Sequence, residues 1–138
     1  SKMATALKIP VSSDGSVSGQ FLAHLQEFCT GRTRAQTRDE LLLRKPWTEA
    51  LPEKNEKTGM EEVITRTYFR LVDLHAYLIR NKFTHYSNTG QIVAELRGIN
   101  GIHKFWKLKN KGVNTWGVPV FDDQDSEHEV RKQDATPF

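Results

Sequence analysis

The sequence predicts an α+β domain that is mostly helical, with a core of three to four helices followed by a C-terminal β-hairpin. Residues 17–29 and 60–81 space their apolar side chains three and four apart, which is the period of an amphipathic helix. Residues 88–99 repeat this spacing over a shorter stretch. Residues 104–109 and 113–118 are rich in aromatic, aliphatic and β-branched side chains and flank a short glycine-containing link, which indicates a hairpin.

Length and composition favour one domain with flexible ends. A chain of 138 residues fits a single core. We expect a flexible segment over residues 1–18, which is rich in serine and glycine, the folded domain over residues 19–121, and an acidic tail over residues 122–138. The single cysteine, Cys29, excludes an intramolecular disulfide framework and indicates an intracellular protein of the cytoplasm or nucleus. No apolar run is long enough for a membrane span, so we expect no membrane partner.

The first half of the domain is predicted to hold two helices and a loop. The helix of residues 17–29 is followed by a second helix within residues 32–45. Thr37 and Glu40 have the spacing of a capping box, in which each side chain accepts from a free backbone N–H of the first turn. Residues 47–59 contain a proline and a run of charges, and we interpret them as a loop.

The central helix is predicted over residues 60–81, with a wide apolar stripe for the core. Glu62 and Arg66 stand four residues apart and would form a favourable pair on its polar side. The shorter helix of residues 88–99 is expected to begin at Asn88, whose side chain can accept from a free N–H of the first turn.

The net charge of +3 conceals an uneven distribution. Residues 80–121 carry seven basic side chains and one acid, Glu95, whereas residues 122–138 carry six acids and two bases. Because exposed charges are screened beyond roughly 8–10 Å, the local excess of positive charge matters more than the total. Such a concentration is typical of a protein that binds phosphates.

Four lysines crowd the predicted hairpin: Lys104, Lys107, Lys109 and Lys111. They form either an ordinary solvated strand face or a set of phosphate contacts. Alternation along the strand places Lys107 and Lys109 on one face with Phe105, and Trp106 with Leu108 on the other. One face would then pack into the core while the other meets solvent or ligand.

Two tryptophans and one helix face are further candidates for binding. Trp106 and Trp116 either belong to the core or provide platforms on which unpaired bases stack. Arg97 and Gln91 lie on the polar side of the predicted helix of residues 88–99, where they either meet solvent or contact nucleic acid.

Nothing in the sequence points to catalysis. The five histidines show no metal-ligand spacing with the lone cysteine or with carboxylates. The sequence has no phosphate-binding loop, dinucleotide-binding glycine motif or nucleophile elbow. We therefore expect a protein that is not an enzyme and that needs no metal or other cofactor, and we interpret Cys29 as a buried apolar side chain.

Residues 89–119 resemble the C-terminal winged-helix modules of replication and mobile-element proteins such as phage-type primase-helicases. Their sequence is TGQIVAELRGINGIHKFWKLKNKGVNTWGVP. The resemblance rests on the order of helix, glycine stop and basic hairpin. It implies a three-helix core with a hairpin wing, in which Arg97 and Gln91 belong to the recognition helix and the lysines to the wing.

We therefore expect a nucleic-acid-binding module, a DNA-binding part of a replication or repair protein, with DNA favoured over RNA. The alternative is a module that docks onto another protein within a larger assembly. The acidic tail of residues 122–138 has two interpretations. It could fold back over the lysines and compete with phosphates, or it could only improve solubility.

Overall fold

The computed structural model describes residues 4–5, 8–9, 16–31 and 34–121. Three α-helices, one 3₁₀ helix and six strands occur in these residues. In chain order they are β1 (Ala4–Thr5), β2 (Lys8–Ile9), α1 (Val17–Thr30), the 3₁₀ helix (Arg38–Leu43), β3 (Trp47–Lys54), β4 (Glu61–Phe69), α2 (Leu71–Arg80), α3 (Thr89–Gly98), β5 (Ile102–Leu108) and β6 (Lys111–Phe121).

A curled antiparallel sheet with the strand order β3-β4-β6-β5 forms the centre of the fold. β3 pairs with β4 along its whole length, and β5 pairs with β6 from Ile102 opposite Gly117 to Leu108 opposite Lys111. The two hairpins join through β4 and β6, where Tyr68 lies opposite Gly117. β1 and β2 add short parallel pairs to β4 and β6.

The sheet buries side chains on both faces. The helix face carries Phe69, Trp116 and Val118, and α1, α2 and α3 pack over it. The opposite face carries Tyr68 and Trp106, with further core residues from β5 and β6, and the 3₁₀ helix covers it. Strand alternation sends neighbouring residues to opposite faces, so a single strand such as β4 contributes to both cores.

The predicted helix of residues 60–81 is wrong in its first half. Residues 61–69 form β4, and the helix begins only at Leu71, after Arg70 has adopted an extended conformation. The sequence Val63-Ile64-Thr65 is β-branched, and Thr67, Tyr68 and Phe69 follow, all residue types that suit a strand. Burial on both faces of β4 produces a wide apolar pattern that imitates a helical stripe.

Two further predictions in the first half of the domain are wrong. Residues 47–54 of the predicted loop form β3, and the turn follows only after Lys54. Between residues 32 and 45 the structure describes a short 3₁₀ helix instead of an α-helix. Thr37 makes no capping bond, whereas the Glu40 carboxylate accepts from the backbone N–H of Gln36 at 2.8 Å.

The predicted fold class is therefore wrong, because strands and helices contribute about equally and the core is not a helical bundle with a winged-helix arrangement. The C-terminal hairpin is no appendage, since β6 pairs with β4 and forms the middle of the sheet. The α+β class itself holds.

Several local predictions are confirmed. α1 begins at Val17 as expected, and α3 begins after Asn88, whose side chain accepts from the N–H of Gln91. The hairpin is present, although its turn is formed by Lys109 and Asn110. The acidic tail of residues 122–138 lies outside the described residues, as does most of the predicted flexible segment of residues 1–18.

Candidate nucleic-acid interface

A two-residue turn sets the geometry of the β5–β6 hairpin. Lys109 and Asn110 have φ angles of 49° and 66°, both in the left-handed region. Turns of this kind match the twist of the two flanking strands and fix their register. The register places Phe105 opposite Asn114 and Trp106 opposite Val113, so each side chain is assigned to one face.

Trp106 is a core residue. Its ring packs edge-on against Tyr68, with 5.2 Å between ring centroids, and its Nε1–H donates to Thr115 Oγ1 at 2.9 Å. The guanidinium of Arg38 lies 4.7 Å from the centroid of the indole ring, and the Lys104 ammonium lies 5.1 Å from it. Trp106 is therefore not available to stack on a base, and the structure supports the core interpretation of this residue.

Trp116 is also covered. It is 8% exposed and belongs to the helix-face core. The guanidinium of Arg97 lies 5.6 Å from the centroid of its ring, and the His103 ring packs edge-on at 5.9 Å. Arg97 is thereby placed beside the hairpin, with its side chain exposed.

Beyond Trp116 the helix face of the hairpin is open to solvent. We call this surface the open strand face. It consists of His103, Phe105, Lys107 and Asn114, all of them exposed. Phe105 is 58% exposed, and a Cβ built on Gly112 would lie 2.6 Å from Phe105 Cζ. The ring therefore lies against the Gly112 backbone and leaves much of its surface to solvent.

The four lysines do not form one stripe. Lys107 lies on the open strand face, Lys104 and Lys111 lie on the opposite face, and Lys109 lies in the turn. The predicted grouping of Phe105 with Lys107, and of Trp106 with Leu108, is confirmed, whereas the prediction that Lys109 shares the face of Phe105 is wrong, because the strand ends at Leu108.

Arg97 and the hairpin lysines form no salt bridge with the described residues, although Lys104 and the Glu49 carboxylate attract each other. The salt bridges of the described residues involve Arg38, Lys45, Arg66 and Arg70. Glu95 is the only acid in residues 80–121, and its carboxylate already accepts from Ser18 Oγ and the Tyr86 hydroxyl. Lys107 and Lys109, which are exposed, are therefore available to an external anion.

Gln91 stands apart from the other predicted site residues. It lies in the first turn of α3, where its side-chain oxygen accepts from the backbone N–H of Ser87 at 2.9 Å. Arg97 lies near the other end of α3. Arg97 therefore lies beside the hairpin, whereas the Gln91 side chain binds the backbone just before α3.

Sequence reasoning missed three members of the open strand face as candidate site residues: His103, Phe105 and Asn114. His103 and Asn114 contact each other across the strands, with 3.1 Å between Nε2 and Oδ1. The signal that could have found them is the same alternation that buries Trp106, because it exposes every second residue of β5.

The only cysteine, Cys29, is buried in the helix-face core. Burial raises the pKa of the Cys29 thiol well above its usual range, so this thiol stays protonated at neutral pH. Among the described residues no three His, Cys, Asp or Glu side chains are grouped so that they could hold a metal ion. The described helices include none with the length and apolarity needed to cross a membrane.

Comparisons with models of protein families, with curated proteins and with solved structures found no match to this chain.

Proposed function

We propose that this protein binds nucleic acid through the β5–β6 hairpin, with DNA favoured over RNA. The observation that carries the proposal is a group of basic side chains on and beside the hairpin that form no salt bridge with the described residues. The group consists of Arg97, Lys104, Lys107, Lys109 and Lys111. Phosphate contacts by such residues displace condensed counterions and so provide affinity without sequence specificity.

The mode of binding differs from the one that the sequence predicted. A recognition helix would need Arg97 and Gln91 to face the ligand together, whereas Gln91 is used at the start of α3. The open strand face and the turn of the hairpin contact the nucleic acid instead of α3. The role in replication or repair stays a prediction.

Salt dependence tests the proposal. We expect binding of a short labelled oligonucleotide to weaken roughly tenfold to a few hundredfold between about 50 and 200 mM salt. The reason is that up to five basic side chains displace counterions from the phosphates of the oligonucleotide. Fluorescence anisotropy at several salt concentrations gives the slope of the logarithm of the binding constant against the logarithm of the salt concentration. Lys107→Ala and Lys109→Ala should each reduce the slope by about one.

Lys57→Ala is the matched control, since Lys57 is an exposed lysine in the β3–β4 turn, outside the hairpin. Its slope should equal that of the unmodified protein. Absence of binding at low salt, or an affinity that does not change with salt, would contradict the proposal.

A second candidate function is the docking of another protein onto α2. Val72 and Ile79 are 62% and 53% exposed on this helix, although both are large apolar side chains. Arg44 and Arg80 line a cavity of about 280 Å³ beside Val72, together with Arg70 and Asp73, which pair with each other. Exposed apolar residues with cations around them fit a partner segment that carries both apolar and acidic side chains.

A further inference from the structure

We propose that the open strand face binds an unpaired nucleobase by stacking it on Phe105, so that the protein prefers single-stranded nucleic acid to duplex. This inference rests on the proposed function and adds the class of nucleic acid. The notable feature is an aromatic side chain that is 58% exposed and lies on the same strand face as Lys107.

The Phe105 ring is held in place by the residue diagonally across the strands. Phe105 is paired with Asn114 and Lys107 with Gly112, so the ring reaches toward Gly112 along the diagonal. A Cβ at Gly112 would lie 2.6 Å from Phe105 Cζ and 2.9 Å from Cε1. Only the missing side chain of glycine leaves room for the ring to rest on the backbone.

The neighbours of Phe105 suit a nucleotide. Lys107 and His103 are each two residues away on the same strand face, about 6–7 Å from Phe105 along the strand. An ammonium at this distance can reach the phosphate next to a stacked base. His103 and Asn114 are exposed and carry polar groups that can contact a base edge or a sugar.

A duplex cannot use this surface in the same way. Its bases are stacked on one another and paired, so a ring on a strand face reaches a base only after that base has been unstacked. In a single strand the base is already accessible, and stacking tolerates any base because each has a π-face. The surface therefore discriminates between single-stranded and double-stranded nucleic acid more than between base sequences.

The test compares one labelled sequence of about 12 nucleotides as a single strand and as a duplex, at one salt concentration, with the full chain. We expect tighter binding of the single strand. Phe105→Ala should weaken binding of the single strand about 5- to 150-fold and change duplex binding little. Phe105→Trp, which keeps a stacking ring, should retain the affinity.

Leu43→Ala is the control, because Leu43 is another large apolar residue that is 63% exposed and lies outside the hairpin. It should leave both affinities unchanged, and circular dichroism should show the same fold for all variants. Salt-dependent binding that favours the duplex, or that ignores Phe105→Ala, would overturn this inference and leave the proposed function standing. Failure to bind either form would overturn both.

Discussion

Replacement of Arg66 by methionine is expected to lower the free energy of unfolding by about 3–5 kcal/mol. Arg66 is 3% exposed in the middle of β4. Its Nε and Nη2 donate to the two oxygens of Glu53 at 2.7 and 3.2 Å. Its Nη1 donates to the backbone oxygens of Asn100 and Gly117 at 2.7 and 3.2 Å.

The physical reason is that one guanidinium satisfies groups from three parts of the fold. Glu53 lies on β3, Gly117 on β6 and Asn100 in the link between α3 and β5. Methionine fills a similar volume but leaves the Glu53 carboxylate unpaired and two carbonyl groups without this donor. Loss of one partner of such a pair costs more than the pair contributes, since the Glu53 side chain is only 20% exposed and its charge stays largely desolvated.

Arg38→Met is the matched control. Arg38 also forms a forked pair, with Glu49, but its side chain is 45% exposed. Its replacement should cost about 1 kcal/mol or less. Urea unfolding followed by tryptophan fluorescence gives both values, and equal losses for the two variants would contradict the assigned role of Arg66.

The second large effect is expected for Gly117→Ala, which should destabilise the protein by about 1–3 kcal/mol. Gly117 lies opposite Tyr68, and a Cβ there would be 2.5 Å from Tyr68 Cε2 and 3.3 Å from Arg66 Cδ. The Tyr68 ring cannot move aside, because it is fully buried against Trp106. Burial also raises the pKa of Tyr68 to about 12, so its hydroxyl stays protonated at neutral pH.

Gly98→Ala provides the comparison for this substitution. A Cβ at Gly98 would meet no atom within 4 Å, and the residue ends α3. Alanine there should leave the free energy of unfolding unchanged or raise it by up to about 1 kcal/mol. If Gly117→Ala behaves like Gly98→Ala in urea unfolding, the close packing of Tyr68 on Gly117 is disproved.

The sequence predicts those helices and turns that are determined by residues close together in the chain. α1 and α3 have regular apolar spacing, and α3 has a capping residue, Asn88, that acts as expected. The hairpin has turn residues that tolerate positive φ. The sequence of β4 resembles that of a helix because its residues are buried on both faces, which hides the period of two.

The long-range contacts could not be predicted in the same way. The spacing of four residues predicts that Arg66 pairs with Glu62 on a helix, whereas its partner in the structure is Glu53 on the neighbouring strand. This ion pair depends on the register between β3 and β4, which cannot be inferred from the residues next to Arg66 in the sequence. For the candidate interface, alternation grouped Phe105 with Lys107, but only the sheet shows that Trp106 and Trp116 are covered.

A titration of the ¹⁵N-labelled full chain with a short single-stranded oligonucleotide tests the central claim most directly, because it locates the ligand on the protein. At low salt we expect the largest chemical-shift changes at the backbone amides of residues 103–114, with smaller changes near Arg97. The amides of α2 should change little. Largest changes at Val72, Ala76 and Ile79, or no changes at all, would contradict binding of nucleic acid by the hairpin.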